Sequence, residues 1–294
     1  MYRPAAADAT LILVHIPKTA GTTLAIILLD WFGKDAGRAV SGWHEGRAAF
    51  SAEPVESRVS PRVVYGHQAF GLHEHIPKPC EYLTFLRDPV ARVISHYYHV
   101  RSESTHYLHR RVTRLDMPIE EYVENPFRTA ELDNAQVRML ASPSLERYQA
   151  VGEAKRSLLE SAKDNLEQAF CFVGLTERFD ESMVAMSDLL GWNRVPTYLP
   201  ARVSSNKSRG DISERVRSRV REVNHLDVEL YEHVRQRFDA HIRSMGESLR
   251  DRVRCVRDEN RRVAAILAAQ AVEAGGAAAE TASVPEPMPN AEPT

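Results

Sequence analysis

Leu11 to His15 (LILVH) is a short apolar run that breaks into a loop bearing Pro17 and Gly21, and from Thr22 to Phe32 the chain is apolar again over helical length. In order this reads as strand, loop, helix. Arg62 to Tyr65 (RVVY) and Tyr82 to Leu86 (YLTFL) repeat the short run, and the second is followed by a helical stretch from Pro89 to about Arg101. Cys171 to Val173 predicts a fourth strand, with Glu177 to Leu190 as the helix after it. Strands alternating with helices predict an α/β fold, a central parallel sheet flanked by helices.

The remaining segments read mainly as helix. Gly152 to Gln168 carries Leu158, Leu159, Ala162 and Leu166 at helical spacing, and Asp211 to Glu214 (DISE) has a capping-box pattern, with Asp in the usual Ser/Thr place, predicted to open a long helix. Leu249, Val253, Val256, Asn260, Val263 and Leu267 alternate spacings of four and three, a heptad seam with one polar member. That seam suits a long C-terminal helix packed on its own domain, or a coiled coil joining a homodimer with Asn260 setting register. No basic residue follows Arg262, and Gly275 to Thr294 is rich in Ala, Pro and Glu, the composition of a disordered tail. The expected organisation is a main domain over 1–245, a helical extension over 246–272 and a tail over 273–294.

A chain of 294 residues can bury a full core, and 27% charged with 43% hydrophobic residues is an ordinary globular balance. A formal charge of -2 gives no reason to expect nucleic acid binding through bulk electrostatics, so any basic site must be local. Cys80, Cys171 and Cys255 are odd in number and widely spaced, without metal-ligand spacing, which argues against a disulfide framework and fits a reducing compartment. The start lacks a basic segment before its apolar run, and no stretch approaches the roughly 18 apolar residues of a membrane span. A soluble, cytoplasmic protein is expected.

A strand that runs through a loop into a helix aims the helix's first N–H groups and its positive dipole end at the loop, which makes an anion site. In His15 to Thr23 (HIPKTAGTT), Gly21 lets the backbone approach a phosphate, Thr22 and Thr23 add hydroxyls, and Lys18 adds a mobile charge. Lys18 precedes Gly21, whereas a Walker A loop places its Lys after the last Gly, so this is not an ATPase loop. The second anion segment is Arg87 to His99 (RDPVARVISHYYH). Asp88 and Pro89 suit a helix start, leaving Arg87 at the strand end and Ser95 two turns into the helix. A bland reading pairs Arg87 with Asp88 and leaves Ser95 on the surface; the sharper one puts Arg87 and Ser95 on a phosphate.

PKTAGTT resembles the 5′-phosphosulfate loop of sulfotransferases that use 3′-phosphoadenosine-5′-phosphosulfate (PAPS), in the form found in the branch containing heparan sulfate 2-O-sulfotransferases. RDPVARVIS is similar to that family's 3′-phosphate motif, with Arg87 and Ser95 on the two contact positions. Tyr65 to Leu72 (YGHQAFGL) looks like the segment holding the branch's catalytic His, and Phe172 to Met183 like its late strand and helix; Tyr65 stands where the branch often has a second His. The likeness covers roughly residues 10 to 210 and implies that the central parallel sheet is of P-loop type. It implies a donor site of Lys18, Thr19, Ala20, Gly21, Thr22, Thr23, Arg87 and Ser95, with Ser204, Asn206 and Lys207 of the loop SSNKS closing over the nucleotide. It also implies transfer to a hydroxyl of a carbohydrate or glycolipid, with His67 as base, Lys18 on the departing oxygen and adenosine 3′,5′-bisphosphate (PAP) as product.

No metal is expected, because His73 and His75 around Glu74, and His96 with His99, complete no metal-ligand pattern. The basic group Arg101, His109, Arg110, Arg111 and Arg114 fits a solvated face or a contact with an anionic acceptor. Two alternatives stay open, a nucleotide-dependent phosphotransferase and a non-catalytic nucleotide-binding scaffold.

Overall fold

The computed structural model describes residues 1–42, 45–124, 129–143, 150–199 and 211–280, with side chains described as far as 270. The first half runs β1 (Thr10–Val14), α1 (Gly21–Phe32), β2 (Gly37–Ala39), α2 (Glu45–Ser51), α3 (Val55–Val59), β3 (Val63–Gly66), β4 (Cys80–Leu86), α4 (Pro89–Ser102), α5 (His109–Arg114) and α6 (Ile119–Glu124). The second half runs α7 (Ala135–Leu140), α8 (Arg156–Ala169), β5 (Phe170–Leu175), α9 (Phe179–Leu189), α10 (Glu214–Val223), α11 (His225–Ser244) and α12 (Ser248–Glu280).

The five strands are parallel in the order β2-β3-β1-β4-β5. Every residue of β1 and β5 is buried, as helices on both faces of a parallel sheet require. The edge strand β2 was not expected. It is three residues long and mostly exposed, too short and too polar for hydrophobic periodicity to reveal.

The chain order places the site. From β1 the chain goes to β2 and β3 on one side, then crosses β1 to enter β4 on the other. Such a reversal opens a crevice beyond the carboxyl ends of the central strands, here β1 and β4, where ligands of open α/β sheets bind. Val14 lies opposite Gly66 of β3 and Thr84 of β4, so the three strands deliver their following loops to one edge.

Three expectations are corrected. The cap of α10 is Ser213, whose Oγ accepts from the Val216 amide; Asp211 lies two residues too far out and is exposed. The helix is also shorter than expected, ending at Val223 with Asn224 as its C-cap, before α11 begins at His225. In α12 the heptad residues Leu249, Val253 and Val256 join the main core, and Asn260 Oδ1 accepts from the Tyr198 amide at 2.9 Å. Asn260 therefore bonds within its own chain, and the first turns of α12 pack on the main core. Further on, Leu267 is 46% exposed, and the helix continues to Glu280 past the expected start of the tail, sustained by its alanines. Residues 281–294 lie outside the described ones. Among the described residues, no helix is long and apolar enough to cross a membrane.

Candidate active site at the carboxyl edge of the sheet

The loop after β1 is held by its own backbone and one side chain. The Ile16 amide donates to Val14 O at 3.2 Å, and Thr19 Oγ donates to Ile16 O at 2.9 Å. That bond uses the Thr19 hydroxyl inside the loop, so Thr19 has only its amide to offer a ligand. Lys18 (φ 71) and Ala20 (φ 65) both take left-handed backbone, which costs about 1–2 kcal/mol for each residue with a Cβ. Ala20 is the N-cap of α1 and supplies no side-chain cap, and the first-turn amides of a helix point out of its N-terminal end, where an anion can meet them. The first intrahelical bond is Leu24 N–H to Ala20 O at 3.2 Å. Gly21 has a structural duty in this loop. A Cβ there would lie 1.9 Å from Cδ2 of His15, so the bare glycine makes room for that ring.

The end of β4 is held from far away in the chain. Asp88 caps α4 by accepting from the Ala91 amide at 2.8 Å, with Pro89 opening the helix, as its sequence predicts. Arg87 does not pair with Asp88. Its Nη1 donates to Lys18 O at 3.1 Å, and its Nε lies 3.9 Å from Glu177, which also accepts the Asp88 amide at 3.0 Å. The two anion segments are thus joined directly. Ser95 lies on α4 at 4% exposure, inside the protein and not on its surface.

Gly66 ends β3 at φ 143, and a Cβ there would meet Val40 O at 2.0 Å, so only glycine lets the chain turn here to present His67. His67 Nδ1 lies 2.7 Å from His15 O. A carbonyl only accepts, so Nδ1 carries the proton and Nε2 keeps a lone pair. The two imidazoles pack at 4.1 Å between centroids. Burial lowers the His67 pKa below the ordinary 6.5, opposed by the bond to the His15 carbonyl and by the Glu131 carboxylate. Burial, with His67 and Lys18 nearby, takes His15 down to about 3, so its ring is neutral.

Glu131 heads a second cluster. Its Oε2 lies 3.0 Å from His96 Nε2 and accepts from Tyr107 Oη at 3.0 Å; His96 Nδ1 meets Tyr122 Oη at 2.8 Å. Burial would raise this carboxyl, but the bonds from His96 and Tyr107 hold it at about 2. His96, His106 and Glu131 put one potential metal-ligand atom each within 4.8 Å of one another. His106 Nδ1 accepts from the Leu108 amide at 3.2 Å, which leaves its proton on Nε2, the nitrogen facing Glu131. The cluster is arranged as a hydrogen-bond network around Glu131 and His96.

Other sequence candidates have structural partners. His73 Nδ1 meets Tyr82 Oη at 2.9 Å, while Arg47 donates to His75 Nε2 and pairs with Glu74. Arg101 pairs with Asp116 at 2.9 Å, and His109 Nδ1 with Val100 O at 2.8 Å, whereas Arg110, Arg111 and Arg114 lie on the short helix α5. Ser204, Asn206 and Lys207 lie outside the described residues. Sequence reasoning missed His15, Glu131 and Gln136, whose side chain is hydrogen-bonded to the Arg87 peptide. Only His15 carried a signal, its place at the end of β1 inside the phosphate loop.

Residues 4–287 match the galactose-3-O-sulfotransferase family, and the chain belongs to that family. Among its relatives is heparan-sulfate 6-O-sulfotransferase 2 of Gallus gallus, 29% identical over 62% of this chain and 50% of that protein. Human heparan-sulfate 6-O-sulfotransferase 1 is 31% identical over 55% of this chain and 44% of that protein. The chain thus spans about half the length of these relatives. Of solved structures, a sulfotransferase from Alicyclobacillus acidocaldarius is similar over 80% of this chain and 96% of that one, with 16% identity and a TM-score of 0.39.

Proposed function

We propose that the protein transfers a sulfuryl group from PAPS to a hydroxyl of a carbohydrate acceptor, a glycan or glycolipid, without a metal. The observation that carries this reading is the 3.1 Å hydrogen bond from Arg87 to Lys18 O, which ties the phosphate loop to the arginine at the end of the neighbouring strand. A nucleotide with phosphate groups at both ends of its ribose suits two anion sites set side by side. The amides of Gly21 to Thr23 and the Lys18 ammonium would hold the 5′ end, and Arg87 with Ser95 the 3′-phosphate.

PAPS supplies an activated sulfuryl group on its 5′-phosphate. The acceptor oxygen forms a bond to sulfur as the bond from sulfur to the bridging phosphate oxygen breaks, and the hydroxyl proton passes to His67 Nε2. Lys18 stabilises the charge that develops on the departing oxygen. His15 O holds the Nδ1 proton of His67 and so fixes the tautomer that can act as base.

Isothermal titration with PAP in the presence of EDTA tests the donor site, and incubation with sulfur-labelled PAPS and a panel of neutral and acidic glycans tests the reaction. Saturable, metal-independent PAP binding and a labelled sulfate ester are expected. Preference for Mg·ATP would point to a phosphotransferase, and binding without turnover on any acceptor to a scaffold. Because the His67 pKa is lowered, the base stays neutral into mild acid, and the acidic limb of kcat/KM should fall below pH 6.5.

A further inference from the structure

β4 runs out of partners where its most important residue begins. The pairing of β1 with β4 ends at Val14 and Thr84, and that of β5 with β4 at Leu175 and Leu86. The peptide of Arg87, one residue further on, lies beyond both ladders, and a buried peptide group without partners is costly. Gln136 fills the place of a strand. Its Oε1 accepts the Arg87 amide at 2.9 Å, and its Nε2 donates to the Arg87 carbonyl at 2.9 Å. A primary amide presents one acceptor and one donor in a single plane, the pattern with which a neighbouring strand would meet this residue.

Gln136 is itself held at both backbone and side chain. It is fully buried in the first turn of α7, which is locked to the first turn of α11 by reciprocal capping across about ninety residues of sequence. Asp227 of α11 accepts the amides of Gln136 and Val137 at 3.2 and 2.8 Å. Asn134, the N-cap of α7, accepts the amides of Leu226 and Asp227 at 2.9 and 3.1 Å. Each helix thus has its orphan donors satisfied by a residue of the other. Behind them the buried Arg92 guanidinium of α4 lies 3.9 Å from Asp227. The side chain that reaches Arg87 therefore starts from a crosslinked base.

We infer that Gln136 is a positioning residue for the nucleotide's 3′-phosphate, acting by fixing the backbone of Arg87 so that its guanidinium reaches the anion at one place. This rests on the reading of Arg87 as the 3′-phosphate contact. A small displacement of a bidentate fork loses a large part of its binding. The specific consequence is selectivity, because adenosine 5′-monophosphate lacks the 3′-phosphate that the Arg87 guanidinium would hold.

The test is titration of PAP and adenosine 5′-monophosphate into wild type, Gln136→Leu, Gln136→Glu, Arg87→Ala and the double variant Arg87→Ala/Gln136→Glu, with thermal melting of each. Gln136→Glu keeps the acceptor for the Arg87 amide and the side-chain volume, so it serves if Gln136→Leu does not fold. The Gln136 variants are expected to weaken PAP about tenfold, the loss of one well-placed charge-assisted contact, and to leave the monophosphate within about twofold. In the Arg87→Ala background the second substitution should change neither affinity. Equal weakening of both nucleotides, or an unchanged ratio in a folded variant, overturns the inference while the assignment of Arg87 stands. An unchanged ratio in Arg87→Ala overturns that assignment and this inference with it. Hydrogen exchange in the wild type needs no variant: the Arg87 amide should exchange as slowly as those of β4, and fast exchange would overturn the latch.

Discussion

The two halves of the proposed donor site are built on opposite plans. The loop after β1 is held by contacts between residues close in sequence: Thr19 to Ile16, Ile16 to Val14, and two left-handed residues that bend the backbone around the helix start. The end of β4 is held by Gln136, Glu177 and Lys18, which lie 49, 89 and 69 positions away. A local scaffold leaves a motif in the sequence, and a distant one leaves isolated polar residues that look like any others. The difference also separates two kinds of fragility. The loop should fail when one of its own residues changes shape, and the strand end when a remote anchor is lost.

The largest effect is expected at His67, which the loop after β1 holds through the His15 carbonyl. His67→Ala should lower kcat by about 10²–10⁴-fold, the usual worth of a positioned base, and leave PAP affinity within about twofold. A variant that still turns over at near wild-type rate would remove His67 as the base and leave the pairing with His15 O as structure alone.

Next comes an exchange of roles between the two cations. Lys18→Ala should act chiefly on kcat, by about 10²-fold, because its charge is needed most as the bridging oxygen departs. Arg87→Ala should act chiefly on donor binding, by about 10–100-fold in KM for PAPS, because its contact exists before and after transfer. Steady-state kinetics with varied PAPS would separate the two. Equal losses in kcat and KM for both variants would mean that the halves act as one unit, with the Arg87 to Lys18 bond as the coupling.

Gly21→Ala probes the local plan by itself. The new methyl would be driven into the His15 ring, and overpacking of this kind costs about 1–3 kcal/mol. The expected result is a lower melting temperature with loss of activity, as the His15 carbonyl that holds His67 is displaced. An alanine variant with unchanged melting and turnover would show that the ring moves aside freely and that the loop is not tightly packed.

The same contrast decides what could be read from sequence. The strand, loop, helix order, the capping Asp88 with Pro89, and the apolar stripe of α8 are local patterns, and each is where the sequence put it. Gln136 and Glu131 sit in a stretch without periodicity, and nothing near them in sequence says that one meets a strand end and the other a histidine cluster. The heptad of α12 was visible but ambiguous, since period alone does not say whether a seam closes on its own domain. Leu249, Val253 and Val256 answer that only because α9 lies where they point. The cap at Ser213 was misread for a related reason: Asp211 and Ser213 are both good caps, and the choice between them depends on where the helix begins.

The smallest effect expected is a matter of pH, and it tests whether the loop keeps its histidine neutral. His15 has a folded-state pKa of about 3 against 6.5 when free, because burial and the neighbouring His67 and Lys18 oppose its protonation. Between those values the unfolded chain binds a proton that the folded one does not, so this residue's contribution to stability falls as pH drops from 6.5 toward 3. His15→Phe keeps a planar ring beside Gly21 and the same backbone carbonyl for His67, but it cannot titrate. From pH 7 to pH 4 the melting temperature of the wild type should fall further than that of the variant. Because the side chain is only half-buried and His67 shifts in the same direction, the difference in slope should be modest. Parallel curves would mean that His15 is protonated at little cost, and the loop would then owe its shape to Lys18, Thr19 and Ala20 without help from the ring packed against Gly21.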